Sequence, residues 1–232
     1  MQYSLRWKNK LNINITDRKM PLSLIYNYDL EKDLDRTFPT NDFFKKNKHI
    51  LKNIILNYIE INSAIDYFQG LCYITYTMYY AFKDSECPEY NTFYAIHKFI
   101  APIRPIIPID DQDIEPILFI DNISKLILLN IFHKKNELGK KLKELNIIKI
   151  FVVSGLPALF ANWYTLEEIL LLWDYFLDSS ASKMMDNIIN FLTYFFIYNE
   201  KIILHLNFES VLSLLQERQG LSNIIFMLKY KK

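Results

Sequence analysis

Apolar residues recur at steps of three and four along most of the chain, which is the period of an amphipathic helix. The clearest case follows the segment TFPTN, where one face is apolar and the other carries lysine and asparagine. This pattern predicts a helix over 41–61, with Thr40 or Asn41 as its N-terminal cap. The apolar face consists of Phe43, Phe44, Leu51, Ile54, Ile55, Tyr58 and Ile59.

The same period predicts helices along the rest of the chain, at 70–82, 89–100, 114–132, 134–145 and 166–178, with two or three more in 183–230. Thr165 and Glu168 have the spacing of a capping box at the start of one of them. No alternating strand pattern exceeds four residues. We therefore predict an all-α fold. The proline-punctuated segment PIRPIIPIDDQD is expected to separate a first lobe, about 1–108, from a second lobe, about 109–232, of a single domain.

Composition narrows the class of protein. The chain has 232 residues, is 51% hydrophobic and carries a formal net charge of +1, so a nucleic-acid partner is not expected. Cys72 and Cys87 lack the spacing of a zinc site, and no histidine pair suggests a metal site. The N-terminus lacks a signal segment, and the most apolar stretch, 188–198, is too short to span a bilayer. These features predict a soluble, intracellular protein without membrane insertion.

Common enzyme motifs are missing from the sequence. It contains no GxxxxGK[ST] or GxGxxG phosphate loop and no GxSxG nucleophile motif. The acidic run DDQD at 110–113 could hold a cation, but a solvated helix start explains it better.

Two polar side chains lie in unusual positions. Arg36 stands among acids in DLEKDLDRTFPT, and Pro39 is expected to hold Phe38 in an extended conformation, so the helix should end near Arg36. By pattern alone, a surface ion pair with Asp33 three positions earlier explains Arg36 best.

Gln69 precedes one of only four glycines in the chain, within AIDYFQGLCYI. A break at 62–63 followed by a helix from Gly70 places this glutamine at a loop–helix junction. Glycine allows close backbone approach at such a place, and a fixed carboxamide can orient a water molecule. A loop glutamine that satisfies nearby backbone groups is the alternative.

Together these two segments resemble the TBC domains, which activate Rab-type small GTPases. LEKDLDRTFP is similar to the family's IxxDxxR pattern, and YFQG is similar to its YxQG pattern, with 33 positions between Arg36 and Gln69. Further on, WYTLEEILLLWDYFL resembles a later family segment and contains Trp173 and Asp174, which we interpret as structural. The chain departs from the usual pattern at Asp66, Leu71 and Cys72, and only SLRWKNKLNI precedes a short run before the first motif.

The resemblance implies a TBC-like two-lobed helical fold and a role in vesicle trafficking as a GTPase activator, not as a nucleotide hydrolase itself. Arg36 would be an arginine finger and Gln69 a glutamine finger, both acting in trans at the mouth of one cleft. Asp33 would hold Arg36, Tyr67 would anchor the glutamine loop by packing, and Gly70 would permit close approach.

The resemblance also implies no cofactor for this chain, because it assigns GTP and magnesium to the partner GTPase. This chain would be cytoplasmic and peripheral to endomembranes through that partner. The alternative is a catalytically silent TBC-like scaffold that binds a GTPase or another partner. An unrelated all-α protein with accidental matches would place Arg36 and Gln69 far apart.

Overall fold

The computed structural model describes residues 2–16, 18–63, 65–107, 113–178, 183–217 and 220–230. Over these residues the chain forms α-helices and two short 3₁₀ helices, and no strand, so the all-α prediction is confirmed. The 3₁₀ helices are Ala101–Ile106 and Leu156–Ala158. The α-helices are α1 Gln2–Lys10, α2 Tyr28–Arg36, α3 Asp42–Ile61, α4 Gly70–Phe82, α5 Pro88–Ile100, α6 Glu115–Lys134, α7 Asn136–Leu145, α8 Ile148–Gly155, α9 Leu166–Phe176, α10 Met184–Tyr198, α11 Glu200–His205, α12 Phe208–Gln216 and α13 Leu221–Tyr230.

Most of the long helices begin and end close to the predicted residues. Helix α4 has its predicted bounds, and α3 begins one residue later than predicted because Asn41, not Thr40, is its cap. The Asn41 Oδ1 accepts a hydrogen bond from the Phe44 amide at 3.2 Å. The capping box of α9 is confirmed, since Thr165 and Glu168 each accept from the other's backbone.

Some helices were not predicted from periodicity. Helices α1 and α8 are additional. The described residues of 183–230 form four helices, α10 to α13, where two or three were expected. Of the acidic run at 110–113, positions 110–112 lie outside the described residues, so only Asp113 can be placed.

The chain divides into two compact units. The first contains Met1–Asp113 together with Pro157–Asn162, and the second contains Ile114–Leu156 and Trp163–Lys232. The chain therefore returns to the first unit for one short segment after α8. Both candidate side chains, Arg36 and Gln69, belong to this first unit.

Helix α4 is the central element of the first unit. Eleven of its thirteen residues are buried, and it packs against α1, α3 and α5. Trp7 of α1 is 0% exposed and meets Phe82 of α4 edge to face, with ring centroids 6.5 Å apart. Because α4 begins immediately after Gln69, this burial gives the glutamine a rigid base.

The second unit has an aromatic core. Phe151 of α8 lies against Trp163, with ring centroids 5.6 Å apart, and against Phe195 and Phe196 of α10, each with ring centroids at 5.7 Å. Trp173 of α9 is 0% exposed, so it lies in the core, as expected of a structural residue.

Helix α6 is long and apolar enough to cross a membrane, judged by length and composition, and it is the one such helix within the described ranges. Buried residues make up 17% of its most apolar window. Helices of soluble proteins pass the same test, so this property alone is weak support for a membrane span. The most apolar stretch considered from the sequence, 188–198, lies in α10 and not in α6.

Candidate functional site

Arg36 is the last residue of α2, a helix with well-defined ends. The Asn27 side chain caps its N-terminus by accepting from the Leu30 amide at 2.9 Å. At its C-terminus, the Thr37 amide and hydroxyl both donate to the Asp33 carbonyl, at 2.9 and 2.7 Å. Leu30 and Leu34 are buried, whereas Arg36 is exposed. The helix therefore packs through one face and presents the guanidinium to solvent.

The prediction for Phe38 was wrong. Its φ is +46°, in the left-handed region and not in the extended region expected before Pro39. The Phe38 ring lies among Phe44, Tyr73 and Tyr76, with ring centroids 5.2, 5.2 and 4.9 Å away. A left-handed non-glycine residue costs about 1–3 kcal/mol, which the packing of this half-buried ring against three others offsets.

This aromatic cluster also links the two motifs. Phe38 lies two residues after Arg36, and Tyr73 lies four residues after Gln69. Their rings meet edge to face. The turn that follows the arginine is thus packed directly on the helix that follows the glutamine.

Gln69 lies at the junction of a loop and α4, as predicted. Its backbone is helical, with φ −55° and ψ −34°, and its side chain is exposed and makes no capping hydrogen bond. Throughout the described part of the chain, neither the Arg36 guanidinium nor the Gln69 carboxamide has a hydrogen bond or an ion pair. Both groups are therefore available to another molecule.

Among the interactions of the described residues, Asp33 forms no ion pair or hydrogen bond with Arg36, which corrects the expectation that it would hold the arginine. Its Oδ2 accepts instead from the Tyr67 hydroxyl at 2.8 Å. Asp33 is half-buried and faces the loop, whereas Arg36 lies in the last, exposed turn of α2. Tyr67 thus anchors the glutamine loop through its hydroxyl as well as by packing, and it joins one motif to the other.

Cys72 is a third member of this contact. Its Sγ lies 3.2 Å from the Tyr67 hydroxyl, and the Thr37 hydroxyl is another neighbour of the thiol. Burial raises the pKa of Cys72 to about 12, and burial together with the thiol and Asp33 raises the pKa of Tyr67 well above its ordinary value. Both groups therefore keep their protons at neutral pH.

Gly70 permits a close approach, but the approaching group is the chain's own backbone. A Cβ at this position would lie 2.2 Å from the Pro157 carbonyl oxygen and 3.0 Å from the Ala158 nitrogen. The next two residues, Leu159 and Phe160, are both 0% exposed and have φ of +47° and +66°. The segment Pro157–Asn162 thus supports the start of α4, and no sequence signal indicated this contact.

The site combines one permanent positive charge with one neutral carboxamide. Such a pair can neutralise an anion and orient a water molecule, but it lacks a base near neutral pH. Within the described residues, no group of three or more His, Cys, Asp or Glu could hold a metal ion. An exposed guanidinium and an exposed carboxamide are suited to assisting chemistry that takes place on another molecule.

The chain is an all-helical protein that carries an exposed arginine and an exposed glutamine on two linked elements. A family described as the Rab-GTPase-TBC domain matches residues 3–204. Because the match covers most of the sequence, the chain belongs to the Rab-GTPase-TBC domain family. The resemblance inferred from the two motifs is thereby confirmed.

A solved structure, the crystal structure of the Ypt/Rab-GAP domain of Gyp1p, has a similar fold. The TM-score is 0.70 at 15% sequence identity, and the match covers 98% of this chain and 78% of that chain. At this identity the likeness shows the fold alone. No curated protein matches the sequence significantly.

Proposed function

We propose that this chain accelerates GTP hydrolysis by a Rab-type small GTPase, to which it supplies Arg36 and Gln69. The observation that carries the proposal is the pair of exposed, unpaired side chains on elements joined by the hydrogen bond from Tyr67 to Asp33. Family membership supports the class of partner.

Arg36 is the proposed arginine finger. A guanidinium is planar and always charged, so it can neutralise the charge that develops between the β- and γ-phosphates during phosphoryl transfer. The end of a helix packed through Leu30 and Leu34 holds the side chain outward without an internal ion pair that would have to be broken. Such fingers contribute about 10³–10⁵ in rate, or roughly 4–7 kcal/mol of barrier.

Gln69 is the proposed glutamine finger, which takes over water positioning from the GTPase's own glutamine. In-line attack requires that the water be held within a fraction of an ångström, and misplacement by about 1 Å can cost about 100-fold. The rigid start of α4 below Gln69, the Pro157 backbone against Gly70 and the Tyr67 anchor all restrict its position.

The proposal assigns the nucleotide and its Mg²⁺ to the partner, so this chain binds neither and is not itself a nucleotide hydrolase. It places the chain in the cytoplasm, at an endomembrane surface that the chain reaches through the GTPase. A catalytically silent scaffold with the same fold is the competing function.

The test is multiple-turnover GTP hydrolysis over a panel of Rab-type GTPases. Wild type is compared with Arg36→Ala and Gln69→Ala, and with the matched controls Arg18→Ala and Gln216→Ala, which remove an exposed arginine and an exposed glutamine elsewhere. We expect at least one GTPase to be accelerated by wild type and by both controls. Each finger variant should lose at least about 100-fold of the acceleration.

Thermal unfolding of the same five proteins accompanies the assay. Because both finger side chains are exposed, their removal should leave the melting temperature within about 2 °C of wild type. If no GTPase in the panel is accelerated ten-fold at high concentration of the chain, the scaffold function replaces the proposal. Equal activity of the finger and control variants would reject the two assigned side chains.

A further inference from the structure

The contact between Tyr67, Asp33 and Cys72 has a defined direction. Tyr67 has one hydroxyl proton, and the Asp33 carboxylate oxygen 2.8 Å away can only accept it. The Tyr67 proton is used in that bond, so in the contact of 3.2 Å between the Cys72 Sγ and the same hydroxyl the thiol is the group that can donate. In this direction the order is Cys72 Sγ–H to Tyr67 Oη–H to Asp33 Oδ2.

This short chain of hydrogen bonds crosses three elements. Cys72 lies in the first turn of α4, Tyr67 in the loop before it and Asp33 in α2. The backbone bonds described for the loop, such as Ile65 to Asn62 and Leu71 to Phe68, run only to near neighbours in sequence. Among the hydrogen bonds described for this loop, the bond from the Tyr67 hydroxyl is the one that links it to α2.

We propose that Cys72 is a positioning residue. Its thiol orients the Tyr67 hydroxyl toward Asp33 and thereby fixes the glutamine motif relative to the arginine motif. This inference rests on the proposed function. It assigns a role to a buried cysteine that has neither a disulfide partner nor metal-binding neighbours among the described residues.

Three variants distinguish the effect of the hydrogen bond that the Cys72 thiol donates from the effect of the space that its side chain fills. Cys72→Ala removes the donor, Cys72→Ser keeps a donor in the same place, and Tyr67→Phe keeps the ring but removes the hydroxyl. Cys87→Ala is the matched control, because Cys87 is also buried but accepts from the Arg18 amide, away from both motifs.

The first measurement is the saturation kinetics of activation with a GTP-loaded Rab-type GTPase. Cys72→Ala, which removes the thiol donor, should lower kcat about 3- to 10-fold. It should leave KM unchanged, because the docking surface is intact and only the geometry of the fingers is altered. Tyr67→Phe should lower kcat about 10- to 100-fold. Cys72→Ser should stay within about two-fold of wild type, as should Cys87→Ala.

The second measurement is hydrogen exchange in the free protein, which needs no GTPase. Peptides covering 65–70 and 33–38 should exchange faster in Cys72→Ala and Tyr67→Phe, and at the wild-type rate in Cys72→Ser and Cys87→Ala. Thermal unfolding is recorded for all variants. If Cys72→Ala does not fold, the comparison of Tyr67→Phe and Cys72→Ser with wild type carries the test.

The two measurements distinguish the ways in which the account can fail. Unchanged exchange in the donor-free variants overturns the positioning role whether or not the chain activates a GTPase. Faster exchange with unchanged kcat overturns it as well. If the donor-free variants exchange faster but the wild-type chain activates no GTPase, the coupling between the motifs stands and the proposed function is rejected.

Discussion

Replacing Gly70 by alanine tests how the start of α4 is supported. The new Cβ would lie 2.2 Å from the Pro157 carbonyl oxygen, whereas ordinary van der Waals contact begins at 3.4 Å, so 1.2 Å of overlap must be relieved. The obstacle is backbone, and the Leu159 and Phe160 that follow it are buried with positive φ. Neither α4 nor this segment can move cheaply.

Two effects of the substitution oppose each other. Alanine is favoured over glycine in a helix by about 1 kcal/mol, whereas forced overlap in a packed site costs about 1–3 kcal/mol and occasionally more. Because the overlap is large and against backbone, the steric cost should dominate, with a net loss of roughly 2 kcal/mol. For a chain of this length, that lowers the melting temperature by about 4–8 °C.

Urea and thermal unfolding of Gly70→Ala measure this loss, and Gly139→Ala is the control. A Cβ at Gly139 would meet the Phe132 side chain at 2.6 Å, and a half-buried ring can turn away where a backbone carbonyl cannot. We expect the control to lose less than about 1 kcal/mol. A Gly70→Ala variant within about 0.5 kcal/mol of wild type would refute the support of α4 by Pro157.

Two further predictions concern stability. Trp173→Ala should cost about 3–5 kcal/mol in chemical unfolding, because the ring is 0% exposed; a loss under about 1 kcal/mol would contradict its place in the core. Because burial raises the pKa of Tyr67 above its ordinary value of 10.0, the stability it confers is present below pH 10 and is lost as pH rises beyond it. The measurement is the free energy of unfolding in urea between pH 8 and about 11. Above about pH 10 it should fall less steeply with pH for Tyr67→Phe than for wild type. Parallel pH curves for the two proteins would disprove the buried hydroxyl.

Local patterns in the sequence were sufficient to predict most of the helices. The period of apolar residues predicted α3 and α4, and the spacing of Thr165 and Glu168 predicted the start of α9. Both signals depend on residues that lie within one or two helical turns of each other in sequence. The exposed position of Arg36 also followed from a local feature, the end of α2. The local rule failed at Phe38, where packing of the ring against three aromatic residues outweighs the backbone preference before proline.

Contacts between distant segments could not be predicted in the same way. The bond from Tyr67 to Asp33 spans 34 positions, and the contact of Gly70 with Pro157 depends on a segment that returns to the first unit. The local spacing of Asp33 and Arg36 suggested an ion pair instead. The role proposed for Cys72 depends on two groups, Tyr67 and Asp33, that meet only in the folded chain, so the sequence around Cys72 gave no signal of it.

The most direct test of the central claim uses a Rab-type GTPase, chosen from those that the chain accelerates, whose own water-positioning glutamine is replaced by alanine. Single-turnover GTP hydrolysis is measured with wild-type chain, Gln69→Ala and Gln216→Ala. If Gln69 positions the attacking water, wild type and Gln216→Ala should still accelerate this GTPase at least about 100-fold, and Gln69→Ala should not. Loss of acceleration with wild type, or its persistence with Gln69→Ala, would contradict the account.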